Sequence, residues 1–248
     1  MNKTDPFVFD DIASIYDATR ALQPGIMDEV IGALCSHVEG SLLDVGVGTG
    51  RYALPISARG IDVTGIDLSE KMTAQARAKG FNRITLGDVT RMPFRNGSFD
   101  SATMIHVLHL IPNWQTALRE VARVIRGDLL TVASYRKPSI WSRNDYIQRV
   151  DELGYGPAFP GIHEWELADV VKPDTAKVIC TYLEELDANM LIGRIERREY
   201  SWATKLPDKE HAQAIAELKE KWAGKTHKIE ATLKVLAWGK EKLASIHT

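Results

Sequence analysis

Between residues 41 and 135, short apolar runs of strand type alternate with segments whose apolar residues recur at helical spacing. No other feature of the chain limits its fold as much. SLLDVG, IDVTGID, RITLGD, FDSATMIHV and LLTVASY read as strands, while RYALPISARG, SEKMTAQARAKG and NWQTALREVARVIR read as helices. The second of these helices has Ser69 as its N-cap, Arg77 and Lys79 in its last turn and Gly80 as its stop. The third carries Leu118, Val121, Ala122 and Ile125 on one face. Strands joined through helices return parallel, so the beat predicts an α/β fold with a mostly parallel sheet and helices on both faces. Ligands on such sheets bind at the carboxyl ends of the strands, where the strand order reverses.

The flanks follow other patterns. Residues 7–38 read as two helices, with Ile12, Ile15 and Tyr16 on the first and Ile26, Val30, Ile31 and Leu34 on the second, divided by Gln23-Pro24-Gly25. Residues 137–172 hold Trp141, Tyr146, Tyr155, Phe159 and Trp165 among prolines and glycines, which suits either a cap over a pocket or plain core packing. Farther on, DTAKVICTYLEEL has helical spacing, IGRIERREYSW reads as a strand, DKEHAQAIAELKEKW as a helix and KIEATLKVLAW as a last strand. The expectation is one domain, with a core at 41–136, a cap insertion at 137–172 and the rest of the core at 173–248.

A chain of 248 residues with 44% hydrophobic and 26% charged residues is an ordinary folded protein. Its net charge of -2 gives no basic field for a nucleic-acid backbone, so no nucleic-acid partner is expected. The start, MNKTDPFVFDDIAS, lacks a signal-peptide apolar core, and no run reaches the length of a membrane span, so a cytoplasmic protein without a membrane partner is expected. Cys35 and Cys180 lie far apart in segments of helical spacing, without CxxC, and are expected as buried free thiols.

The stretch LLDVGVGTGRYALPI concentrates the chemistry. Gly46, Gly48 and Gly50 follow a strand at alternate positions, a density that costs stability unless bare backbone is needed. Gly48, Gly50 and Ala53 formally satisfy the GxGxxG/A dinucleotide fingerprint, which keeps an NAD-dependent oxidoreductase open. Asp44, just ahead of the loop, suits a ligand with positive charge better than a pyrophosphate.

Asp44-Val-Gly46-Val-Gly48-Thr-Gly50 resembles motif I of the class I S-adenosylmethionine-dependent methyltransferases, and GIDLSEKM, GDVTRMPFRNGSFD and IHVLHLIPNW agree with it in order and spacing. The resemblance is to the small-molecule branch called type 11, over about residues 10–135. It implies a Rossmann-like seven-stranded sheet and residues 1–40 as an N-terminal helical lid. It further implies S-adenosyl-L-methionine as cofactor, S-adenosyl-L-homocysteine as product and a small-molecule substrate methylated at O, N or C.

Under that resemblance, Asp67 accepts the ribose hydroxyls, Leu68 faces the adenine with Met72 nearby, and Asp88 and the Val89 N–H take the adenine edge. Gly46, Gly48 and Asp44 receive the amino-acid tail, with the carbonyl of Ile105 or His106 beside its ammonium. IYDATR matches the YD-x-x-R element of this branch, placing Tyr16 and Arg20 at the cofactor. One departure is the turn Arg126-Gly127-Asp128, shorter than the usual Lys-Pro-Gly-Gly.

Methyl transfer requires an aligned acceptor and a dry site, and a base only where the acceptor starts protonated. His106 is the candidate base, with His109, Trp141 and Tyr146 as candidate lining of the acceptor pocket. His163 stands beside Glu164 without a partner that spacing identifies, so no metal is expected. A protein that binds the cofactor without transferring a methyl group is the remaining alternative.

Overall fold

The structure is a computed structural model and describes residues 17, 22, 25–137, 142–155 and 159–246. Tyr16, Arg20, Trp141 and nearly all of the expected first helix lie outside the described residues. The contacts group the chain into two compact units, one of residues 1–133, 161–180 and 233–248, the other of 134–160 and 181–232. The sequence reading instead placed its boundaries at 137 and 172.

The first unit carries the first four strands whole and parts of the last three. Its elements begin with α1 (Ile26–Cys35), β1 (Ser41–Val45), α2 (Ala53–Ser57), β2 (Asp62–Asp67), α3 (Glu70–Ala78), β3 (Ile84–Leu86) and β4 (Ser101–Thr103). A 3-10 turn at Leu108–Leu110, α4 (Trp114–Val124) and β5 (Asp128–Lys137) follow. The seven strands lie in the order β3-β2-β1-β4-β5-β7-β6, and each neighbouring pair from β3 to β5 is parallel. The order reverses between β1 and β4, so the ligand crevice of this fold falls at their carboxyl ends.

Local chemistry explains these elements. Leu42, Leu43 and Val45 of β1 have no exposed surface, as expected of a central parallel strand covered on both faces. In α3 the Ser69 hydroxyl accepts the Met72 N–H at 3.1 Å, the cap foreseen from the sequence. Ala117, Leu118 and Val121 of α4 are likewise fully buried, each leucine or valine contributing ~1.5–3 kcal/mol. β4 is shorter than FDSATMIHV suggests: it ends at Thr103, and His106 three residues on has a φ of 57°, in the left-handed region.

The chain continues with α5 (Ser142–Glu152), α6 (Glu164–Val170), β6 (Thr175–Asp187), α7 (Ala188–Glu196), a 3-10 turn at Ser201–Thr204, α8 (Asp208–Trp222), β7 (Thr226–Gly239) and α9 (Lys240–Ala244). Two expectations are overturned here. DTAKVICTYLEEL is the strand β6, since Thr175, Val178, Ile179 and Thr181 favour extended backbone and Tyr182, Glu184 and Leu186 alternate inward against exposed neighbours. IGRIERREYSW is helix and turn, started upstream by the Asp187 side chain, which accepts the Asn189 N–H at 2.8 Å.

The second unit has its own apolar cluster, built from Tyr146 and Val150 of α5, Ile192 and Ile195 of α7, Trp202, and Ile215 and Leu218 of α8. The two cysteines are free but only partly buried, Cys35 ending α1 and Cys180 lying in β6 rather than in a helix. Among the described residues no helix is long and apolar enough to cross a membrane.

Candidate functional site

The glycine loop leaves β1 at the reversal point. Gly46 has φ 76° and Gly48 φ 52°, backbone that side chains rarely tolerate. A Cβ on Gly46 would also stand 2.5 Å from the Val107 side chain, and one on Gly48 3.2 Å from the Met72 methyl. Part of the space left by the glycines is therefore taken by Val107 and Met72, and their first duty is to let the chain turn. Gly50 lies against Ala76 and Leu54, fitting the loop to α3 and α2.

Asp67 ends β2 and ties this loop down. One carboxylate oxygen accepts the Gly48 N–H at 2.7 Å and the other the Ser69 N–H at 2.8 Å. Leu68 next to it is 42% exposed, an apolar side chain offered at the strand end. Asp88 after β3 is exposed and uses one oxygen to accept from the Thr90 N–H and hydroxyl, both at 2.8 Å. Val89 is buried beneath it.

Asp44 lies within the crevice floor. It is buried, and Thr103 at the end of β4 donates to it at 2.9 Å across the reversal point. Burial pushes its carboxyl up to about 7, partly offset by the Thr103 hydroxyl and reinforced by the negative Asp67. A cationic group from a ligand would restore its ionised form.

Sequence reasoning missed a clip beside the loop. Thr49 donates to Asp17 at 2.6 Å, and Lys79 both pairs with Asp17 and donates to the Thr49 carbonyl at 3.0 Å. Burial works against the Asp17 charge, yet the hydrogen bonds from Lys79 and Thr49 outweigh it and leave the carboxyl below its ordinary value. Asp17 is the acid of the IYDATR stretch, and it is held against the glycine loop.

Beyond β4, Ile105 is buried and His106 turns left-handed. The His106 N–H donates at 3.0 Å to Glu164, a carboxylate only 1% exposed and pushed up to about 7 by burial. His109 stacks on His163 with ring centres 4.9 Å apart. Spacing suggested no metal ligands, but the fold gathers donor atoms of His109, His163 and Glu164 within 4.8 Å of one another. No local pattern could disclose this, because more than 50 residues separate the two segments.

Tyr146 corrects an expectation. It was assigned to an acceptor pocket, but it is wholly buried in the core of the second unit, where its hydroxyl meets His211 Nδ1 at 2.6 Å. Burial raises that phenol to about 12.

The chain matches, over residues 43–129, the family described as "Methyltransferase domain". It is 33% identical over 138 residues to a demethylmenaquinone methyltransferase of Beutenbergia cavernae, covering 53% of this chain and 58% of that one. It is 28% identical over 202 residues to the O-methyltransferase ResE of Aspergillus sclerotiorum, covering 73% and 75%. The chain thus spans less than two thirds of the length of the first of these relatives. The fold resembles the crystal structure of YcgJ from Bacillus subtilis, with TM-score 0.53, 20% identity and coverage of 85% and 98%.

Proposed function

We propose that this protein transfers a methyl group from S-adenosyl-L-methionine to oxygen, nitrogen or carbon of a small molecule. One observation carries the reading: Asp67, at the carboxyl end of β2, accepts the Gly48 N–H and so fastens the glycine loop beside the strand-order reversal. The donor set fits the cofactor in charge and shape. Asp67 accepts from ribose hydroxyls, Leu68 and Met72 flank the adenine, and Asp88 and the Val89 N–H take its edge. Gly46, Gly48 and Gly50 shape the turn, while Asp44 and the carbonyls of Ile105 and His106 face the ammonium. Tyr16 and Arg20, outside the described residues, are assigned from the YD-x-x-R pattern as the closing element. The relatives' names, a quinone precursor's methyltransferase and an O-methyltransferase, favour a small acceptor.

When bound, the cofactor supplies an activated methyl group on a sulfonium, and the protein's task is orientation and exclusion of water. His106 is the group we assign as base toward a protonated acceptor, and His109 lies on the same side. Its left-handed backbone is the kind of strain that persists where surroundings fix a working residue. A cytoplasmic protein without a nucleic-acid partner accords with the composition.

Calorimetry with S-adenosylhomocysteine, set against NAD(H), tests the cofactor. Binding of the first alone is expected; preference for NAD(H) overturns the reading. Methyl release to a panel of phenols, quinols and amines then separates transfer from binding without turnover.

A further inference from the structure

We propose that His109, His163 and Glu164 form a binding site for one divalent transition cation of the zinc type, next to His106 beyond the end of β4. One donor atom from each residue lies within 4.8 Å of the other two. Zinc–nitrogen and zinc–oxygen bonds of ~2.0–2.1 Å place tetrahedral ligand atoms ~3.3 Å apart, so the donors must draw together by up to ~1.5 Å, with the His109 and His163 rings turning out of their stack to point at one ion. Two imidazoles with one carboxylate suit zinc and its neighbours, whereas magnesium and calcium prefer oxygen donors throughout.

The surroundings are built to hold this group. Gly161 donates to the His109 carbonyl at 2.9 Å, and a Cβ there would run into the Leu108 and Ile111 carbonyls. This contact seats the 161–165 segment on the 108–111 turn. His163 is sandwiched between His109 and Trp165, the latter ring 4.1 Å away and nearly parallel.

Glu164 supplies an independent argument. It is 1% exposed and accepts from the His106 N–H and from its own backbone N–H, yet among the described residues no basic side chain pairs with it. Buried carboxylates are ordinarily paired or bound to metal. A cation would supply the missing charge and, with three protein ligands, would keep a position open for a further donor.

The test uses the untagged full chain, stripped with a chelator and titrated with Zn2+ by calorimetry and with Co2+ by visible absorption. One Zn2+ per chain is expected, with the stronger absorption of four-coordinate Co2+. His163→Gln and Glu164→Gln should each weaken Zn2+ binding more than ~100-fold, beyond the range for losing a second-shell partner. His37→Gln, on a remote turn, should leave it unchanged.

Absence of stoichiometric binding, or equal binding by His163→Gln, overturns the site. Should Glu164→Gln fail to fold, His163→Gln and the Co2+ spectrum of the parent protein decide. S-adenosylhomocysteine affinity, measured on the same metal-free sample, keeps failure here distinct from failure of the methyltransferase reading.

Discussion

The two sides of the strand-order reversal hold their acids in opposite ways. On the β2 side, Asp67 and Asp88 are bound by backbone amides, and Asp67 is half-buried while Asp88 is exposed. On the β4 side, Glu164 arrives from a distant helix, lies buried, and supports a left-handed His106 through one hydrogen bond. The first arrangement comes almost ready from local chain geometry, because strand ends and turns present N–H groups to an acid. The second exists only after long-range packing, and it stores desolvation and backbone strain instead of relieving them.

The largest effect should come from the turn that makes the first side rigid. Gly46→Ala combines a φ of 76° with a 2.5 Å approach to Val107, and a loss of ~2–4 kcal/mol in chemical denaturation is expected. Adding Val107→Ala should recover the steric share and leave the backbone share. A full recovery would mean that conformation at Gly46 is unimportant.

Removal of the Asp67 carboxylate should come next. Asp67→Ala takes away the acceptor for two loop amides and for the ribose, at ~1.5–3 kcal/mol for each hydrogen bond to a charged group. We expect S-adenosylhomocysteine affinity to drop by ~10- to 100-fold in calorimetry. The loss should be larger than for Asp88→Ala, whose acid is exposed. Equal losses would break the distinction between a loop-fastening acid and an edge-reading one.

This contrast also explains what could be read from the amino-acid sequence. The β2 side was legible because strand, turn glycines, Asp67 and the Ser69 cap follow one another within a few dozen residues. Asp17 was quoted as part of a motif, but its bonds to Thr49 and Lys79 join segments 32 and 62 residues apart. Glu164 was equally invisible as a partner of His106. Farther along, β6 was mistaken for a helix because Val178, Ile179, Tyr182, Leu183 and Leu186 satisfy helical spacing as well as an edge strand with exposed apolar residues. That error displaced the next element too, since the true helix start at Asp187 fell at the end of the supposed one.

A smaller effect should follow pH at Asp44, which faces Thr103 and Asp67. Its folded-state value is raised from 3.8 to about 7, so the folded chain retains a proton that the unfolded chain releases. Its contribution therefore favours folding at low pH and declines as pH rises through that window. A cationic cofactor tail prefers the ionised acid, so S-adenosylhomocysteine affinity should rise across the same window, by at most ~10-fold per pH unit, and level off above it. Asp44→Asn, which keeps an acceptor for Thr103, should flatten both profiles. Persistence of the rise in that variant would assign it to another group.

The smallest stability change probes the strained side. His106 holds φ 57° as a non-glycine residue, a conformation that costs ~1–2 kcal/mol and that glycine adopts freely. His106→Gly should relieve this strain, while the freer unfolded chain takes back part of the gain, for a net stabilisation of ~0.5–1 kcal/mol. The Glu164 bond to the backbone N–H survives the substitution, so the turn keeps its shape. Methyl transfer to a protonated acceptor should fall in kcat while cofactor affinity holds, separating the ring's chemistry from the backbone's geometry. A variant that is both more stable and fully active would mean that the imidazole does no proton transfer, leaving the strain at this position without a catalytic return.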